Sequence, residues 1–189
     1  MRIILEGPDN AGKTTLANKI KDRLGEEVEY RHPGGAPDSV DQEKECVEQQ
    51  LNWLKAPRII LDRITPISQS VYNYDKYLRE FRAESLRRYM QFKPLIIYCR
   101  PSTDRLLRLK DLTWRYDETE LHKQKILNNQ HRFVANYDIV MALIPSIVYN
   151  FEEPESETIV DMICRSMYED PDALTWLANV IKYKDQACS

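Results

Sequence analysis

The sequence predicts an α/β fold, a five-stranded parallel sheet flanked by helices. Three observations carry this expectation. Short apolar runs of four or five residues alternate with longer stretches of helical spacing, the pattern of βαβ units. The runs are apolar at successive positions, as strands buried between two helix layers must be. The first run also leads through a glycine-bounded loop straight into an apolar-periodic helix. With 189 residues, 42% of them hydrophobic and 30% charged, the whole chain 1–189 has the size of one domain. That is enough to bury a core without staples, and it excludes wholesale disorder.

The expected strands are Arg2–Leu5, Val28–Arg31, Arg58–Leu61, Leu95–Cys99 and Ile139–Leu143. Leu16, Ile20 and Leu24 follow a four-residue step and mark the first helix; Val47, Leu51 and Leu54 mark the second. A long helix is expected from about Ile67, after Pro66, to Gln91, with Pro94 opening the next strand. Pro101-Ser102-Thr103 is a helix start with proline in the first turn. Residues 111–120 are polar and break the pattern before a helix from about Leu121 to Asn136. In the tail, about 171–185, Leu174, Leu177, Val180 and Ile181 share a helical face that packs on the domain or on a second subunit.

Composition excludes several functions. The longest apolar runs are far too short to span a bilayer. Met1 leads directly into a strand, which leaves no room for a signal peptide, and a cytoplasmic protein is expected. The four cysteines are scattered without a C-x-x-C pair and read as free thiols in a reducing compartment. A net charge of −3 provides no general footprint for nucleic acid. Residues 76–132 nonetheless hold 14 of the 27 Lys and Arg against 7 acids. This basic middle suits a localised anion such as a phosphate, or is only a solvated helical face.

Chemistry enters at Gly7-Pro8-Asp9-Asn10-Ala11-Gly12-Lys13-Thr14, a full match to G-x-x-x-x-G-K-[ST] between a strand and a helix. Such a loop turns backbone N–H groups inward as an anion nest, with glycine permitting the dihedrals. The helix that follows adds its positive end to the bound phosphates. Gly7, Asn10, Ala11, Gly12, Lys13, Thr14 and Thr15 are thus the expected nucleotide-binding residues. Lys13 reaches the β- and γ-phosphates of ATP, and the Thr14 hydroxyl ligates Mg²⁺. Guanine-reading N-K-x-D, a following D-x-x-G and a strand-end acidic pair are all missing, which argues against switch GTPases and motor ATPases. The third strand runs instead into Asp62-Arg63. Asp62 is placed to hold the metal through water, and Arg63 suits a second anionic substrate at the carboxyl end of a strand.

These residues resemble the thymidylate kinase family. Glu6-Gly7-Pro8-Asp9-Asn10-Ala11-Gly12-Lys13-Thr14-Thr15 resembles its E-G-x-D-x-x-G-K-[ST]-T loop, and Arg31-His32-Pro33-Gly34-Gly35-Ala36-Pro37 its R-E-P-G-G-T-P segment. Asp62-Arg63 followed by Ser68-Gln69-Ser70-Val71-Tyr72 resembles its D-R motif and S-[NQ]-x-x-Y helix. The resemblance implies a P-loop nucleoside monophosphate kinase with a short lid, about 105–120, acting with ATP and Mg²⁺ on dTMP or a related dNMP. It implies a homodimer and small nucleotide substrates, with no nucleic acid or membrane partner. Asp9 would lie beside the acceptor sugar and phosphate, Arg31 among the substrate-binding residues, and Arg63 on the acceptor phosphate. Gln69 would reach the base edge, and Tyr72 would fill the space of a ribose 2′-OH. Trp53 would stack on the base, with Gln49 or Asn52 as polar readers; the alternative for Trp53 is the core.

His32 stands for the family's Glu and Ala36 for its Thr, so the reaction carries over while the base does not. In the lid, Arg108 and Arg115 are the expected transition-state cations, with Arg105 and Lys110 behind them, since Asn10 and Ala11 supply no charge in the loop. Two other functions fit the same motifs. One is a kinase of a hydroxyl on a nucleoside or on a modified base in DNA, with Asp9 or Asp62 as base. The other is a nucleotide-binding regulator without turnover.

Overall fold

The computed structural model describes residues 1–25, 27–73, 75–107 and 120–169. Strands β1 (Arg2–Glu6), β2 (Glu29–Arg31), β3 (Ile59–Asp62), β4 (Leu95–Cys99) and β5 (Ile147–Tyr149) form one all-parallel sheet in the order β2-β3-β1-β4-β5. It is flanked by helices α1 (Lys13–Leu24), α2 (Val40–Trp53), α3 (Thr65–Tyr72), α4 (Arg79–Met90), α5 (Thr103–Leu107), α6 (Glu120–Met141) and α7 (Ser156–Glu169). The α/β architecture expected from the sequence is therefore present.

Alternation along the strands feeds two cores, one on each face. Ile3, Leu5, Ile60 and Ile97 pack with Leu16 and Ile20 of α1 and Val160 and Ile163 of α7. Ile4, Ile59, Leu61 and Ile96 pack with α2, α3, α4 and α6 through Leu51, Val71, Tyr89 and Tyr137. Each such aliphatic side chain contributes about 1.5–3 kcal/mol relative to exposure. The consequence for function lies at the sheet's centre. β1 connects through α1 to one side and β3 onward to β4 on the other, so their carboxyl ends flank a crevice.

Local chemistry sets the helix boundaries. Ser39 caps α2 by accepting from Gln42 N (3.2 Å), and Gln42 Oε1 accepts from Asp38 N (2.7 Å). The long helix expected over 67–91 is two helices. α3 ends at Tyr72, Asp75 Oδ1 accepts from Tyr77 N (2.8 Å), and a 3₁₀ turn over Lys76–Leu78 leads into α4. Arg82 of α4 stabilises this break. Its Nη1 donates to the carbonyls of Gln69 (3.1 Å) and Asn73 (2.9 Å), while Nε and Nη2 hold both oxygens of Glu43 on α2 (2.6 and 2.8 Å).

The fifth strand is not Ile139–Leu143. Those residues are the end of α6 and the turn after it; the helix runs to Met141, five residues beyond the expected Asn136, and the edge strand is the three-residue segment Ile147–Tyr149. Ile139 and Leu143 are 65% and 83% exposed, as positions on the outer side of a helix end rather than in a buried strand. Helix α7 was not expected. The C-terminal helix expected over 171–185 lies outside the described residues, as do residues 108–119 of the lid segment.

Candidate active site

The loop after β1 is built as its motif requires. Gly7 has φ +142°, and a Cβ there would stand 2.4 Å from the carbonyl oxygen of Cys99 on β4. Gly12 has φ +81°, and its Cβ would stand 2.9 Å from Phe151 Cδ1. Both positions need glycine for backbone angle and for space. Asn10 also takes a left-handed φ of +63°, its Nδ2 buried and without a partner among the described residues; Ala11 is fully buried. Lys13 opens α1, and its buried Nζ donates to the carbonyls of Gly7 (3.0 Å) and Pro8 (2.8 Å). Burial and the nearby Arg63 charge lower its pKa. Thr14 and Thr15 are exposed in the first turn of the helix.

Arg63, one residue beyond β3, folds back over this loop. Its backbone N donates to Leu5 O (2.8 Å), and its φ of +74° is a left-handed value that costs a non-glycine residue about 1–3 kcal/mol. Nε and Nη2 reach Gly7 O (3.3 and 3.2 Å), and Nη2 also donates to Asp9 Oδ1 (2.8 Å) and Tyr72 OH (3.0 Å). Tyr72 OH donates in turn to Asp9 Oδ2 (3.1 Å). Burial works to raise the Asp9 pKa, but the Arg63 and Lys13 charges and these hydrogen bonds outweigh it. The carboxyl is held far below the usual range.

Asp62, at the end of β3, is 1% exposed. Burial opposes its ionisation, yet Lys13, Arg63 and the Tyr30 hydroxyl lower its pKa. Its Oδ2 accepts from Tyr30 OH (2.6 Å), whereas Oδ1 is buried with no hydrogen-bond partner among the described residues. Glu6, fully buried beneath the loop, accepts from Ile64 N (2.7 Å) and is pushed up to about 8, chiefly by burial.

Asp9, Lys13, Asp62, Arg63 and Tyr72 are thus brought together. Gln69 is buried on α3, its Oε1 accepting from Asn73 Nδ2 (2.9 Å). Trp53 is partly buried against the α2–α4 core, Gln49 and Asn52 are exposed, and exposed Arg31 pairs with Glu29 (3.1 Å). Arg105 lies 5.8 Å over the ring of Phe151, while Arg108, Lys110 and Arg115 fall outside the described residues.

Sequence reasoning missed five contributors. Gln130 of α6, 1% exposed, donates to Asp9 O (3.2 Å) and Leu106 O (3.3 Å). Tyr137 and Phe133 pack on the Tyr72 ring at 5.8 and 4.6 Å between centroids. Tyr30 adjoins Arg31 in a quoted motif, a signal within reach. Phe151 follows a carboxyl-terminal strand end, but only once β5 is placed correctly.

No family model matches the chain, and no curated protein matches it in sequence. Solved structures do. YorR from Bacillus subtilis, in complex with phosphorylated GDP, is 19% identical with a TM-score of 0.61 over 86% of this chain and 93% of its own. Deoxyadenosine kinase from M. mycoides, with the products dCMP and a flexible dCDP bound, is 20% identical with a TM-score of 0.54 over 88% and 98%. The chain shares the fold of these two proteins, built here as a five-stranded parallel sheet flanked by helices.

Proposed function

We propose that this chain is a nucleoside monophosphate kinase that passes the γ-phosphoryl group of ATP to the phosphate of a deoxynucleotide, dTMP or a related dNMP. One observation carries the reading. Lys13 Nζ and Arg63 Nη2 converge on a single oxygen, Gly7 O, at 3.0 and 3.2 Å. Two cations this close suit a site meant for two phosphates in line, and phosphoryl transfer depends on such positioning and charge neutralisation. Lys13 and the loop N–H groups hold the donor, and Arg63 holds the acceptor phosphate with a planar, multidentate donor. Asp9 and Tyr72 orient that guanidinium; Gln69 on the same helix is assigned to the base edge. Arg108 and Arg115 remain assigned to the transition state and Arg31 to the substrate; Trp53 takes its alternative place in the core, beside Leu54 whose carbonyl accepts from Arg2 Nε at the amino-terminal end of β1.

A metal fits the residues present. The orphaned Asp62 Oδ1 lies at the strand end beside the loop, and the exposed Thr14 hydroxyl opens α1. These two would hold Mg²⁺, which would supply charge neutralisation for the phosphates when bound. A phosphate acceptor needs no base, and neither Asp9 nor Glu6 is placed to act as one. Asp9 is tied by Arg63 and Tyr72 and is far too acidic, and Glu6 is sealed in the interior. Small nucleotides, a homodimer and the cytoplasm complete the proposal. No described helix is long and apolar enough to cross a membrane.

The test is ADP release from Mg·ATP with dTMP, dUMP, 5-hydroxymethyl-dUMP, dGMP, dCMP, dAMP, the ribonucleotides and the unphosphorylated deoxynucleosides. Turnover with one or two dNMPs is expected. A second reading, transfer to a deoxynucleoside hydroxyl, is favoured by the shared fold of the deoxyadenosine kinase. Turnover with deoxynucleosides and not with dNMPs would replace the first reading by the second.

A further inference from the structure

We infer that Tyr30 is a positioning residue for the metal: it holds the Asp62 carboxylate so that one oxygen is locked and the other is presented to a divalent cation. This rests on the reading of Asp62 as the metal carboxylate.

The argument begins with sheet register. β2 is an edge strand, and Tyr30 pairs with Ile60 of β3. Side chains two apart on a strand share a face, so Asp62 lies on the side of Ile60, the side where the Tyr30 ring packs on the α1–α7 core. The phenol therefore approaches Asp62 along the strand with its ring fixed by packing. Its OH donates to Oδ2 at 2.6 Å, within the range of charge-assisted O–H···O⁻ bonds.

The two carboxylate oxygens are then unequal. Oδ2 is occupied, and Oδ1 is buried without a hydrogen-bond partner among the described residues. A buried ionised oxygen with no donor is a group awaiting one, and a cation or its water satisfies it. Tyr30 thereby fixes the rotamer of the carboxylate, draws the bond to one oxygen and leaves the other lone pairs aimed at the ion. Groups that orient a metal ligand in this way commonly alter affinity by about 10- to 100-fold when removed.

The experiment uses the full chain and Tyr30→Phe, which keeps the packed ring and deletes only the hydroxyl. Mn²⁺ binding in the presence of ADP is read by the loss of its free EPR signal, alongside the Mg²⁺ concentration for half-maximal turnover. The expected result is affinity for Mn²⁺ about 10-fold weaker and a Mg²⁺ requirement raised in step. ADP binding without metal and the monophosphate KM at saturating Mg²⁺ should be unchanged. Asp62→Asn serves as the reference. If Asp62→Asn weakens Mn²⁺ binding and Tyr30→Phe does not, the inference about Tyr30 is overturned while the metal site stands. If neither variant alters Mn²⁺ binding, the assignment of Asp62 itself fails. A Tyr30→Phe loss that is equal with and without metal would make the hydroxyl structural and overturn the inference as well.

Discussion

Two arginine–carboxylate pairs touch helix α3, one buried and one partly so, and they are built to different ends. In Arg82–Glu43 the side chains are 5% and 4% exposed, and each guanidinium nitrogen is occupied, two by the carboxylate and one by helix-end carbonyls. In Arg63–Asp9 the exposures are 18% and 31%, Nη2 is shared among three acceptors, and Nη1 makes no hydrogen bond among the described residues. The second pair also rests on a left-handed backbone. A saturated pair fixes architecture; an unsaturated, strained and accessible one keeps donors in reserve for a ligand. Charge and residue type alone do not tell them apart.

The sharpest way to break the comparison is to remove the cation that shares Gly7 O with Arg63. Lys13→Ala should lower turnover by about 10³-fold or more, in line with the loss of a transition-state cation, with the fold intact by circular dichroism. Next in size is Arg82→Met. Leaving Glu43 buried and unpaired should cost about 3–5 kcal/mol. For a chain of this length that is a melting-temperature fall of roughly 6–20 °C.

Arg63→Ala should show the reverse profile. Steady-state kinetics should give a kcat/KM for the monophosphate lower by about 10²-fold, with ATP binding nearly intact and the melting temperature changed by only a few degrees. If Arg63→Ala weakened ATP and spared the acceptor, the two phosphate sites would have to be exchanged.

The last effect appears only as pH is varied and concerns Glu6, whose burial places its pKa at about 8 against an ordinary 4.5. Between those values the folded chain keeps a proton that the unfolded chain loses, so this group's contribution falls as pH rises. Glu6→Gln keeps the neutral shape. Its stability relative to wild type, followed by melting temperature, should therefore climb from pH 5 to pH 8, by at most about 1.4 kcal/mol per pH unit. A difference that stays flat with pH would mean that Glu6 is ionised in the folded chain.

How much of this was legible follows from which interactions are local. The phosphate loop and Asp62-Arg63 are short motifs whose chemistry is written in consecutive residues, and the structure gathers Asp9, Lys13, Asp62, Arg63 and Tyr72. The break after Tyr72 was hidden because it depends on Arg82 reaching back to two carbonyls, a contact no helical period announces. Ile139–Leu143 misled because a short apolar run has no period of its own. The three-residue β5, with Val148 exposed between two buried positions, offers only a short run that competes with the apolar end of α6. Gln130 was invisible for a related reason, since its two partners lie on the loop after β1 and at the end of α5.

The contact between Gly12 and Phe151 has a consequence for how this chain tolerates change. The wall of the phosphate loop is an aromatic ring carried by the segment just after the edge strand, about 140 residues away in sequence. The loop motif and the final third of the chain are therefore not free to vary independently. An insertion or deletion in the turn that follows β5 would withdraw that ring and open the loop from behind. Among divergent relatives, the length of that turn and the aromatic character of position 151 should change together or not at all.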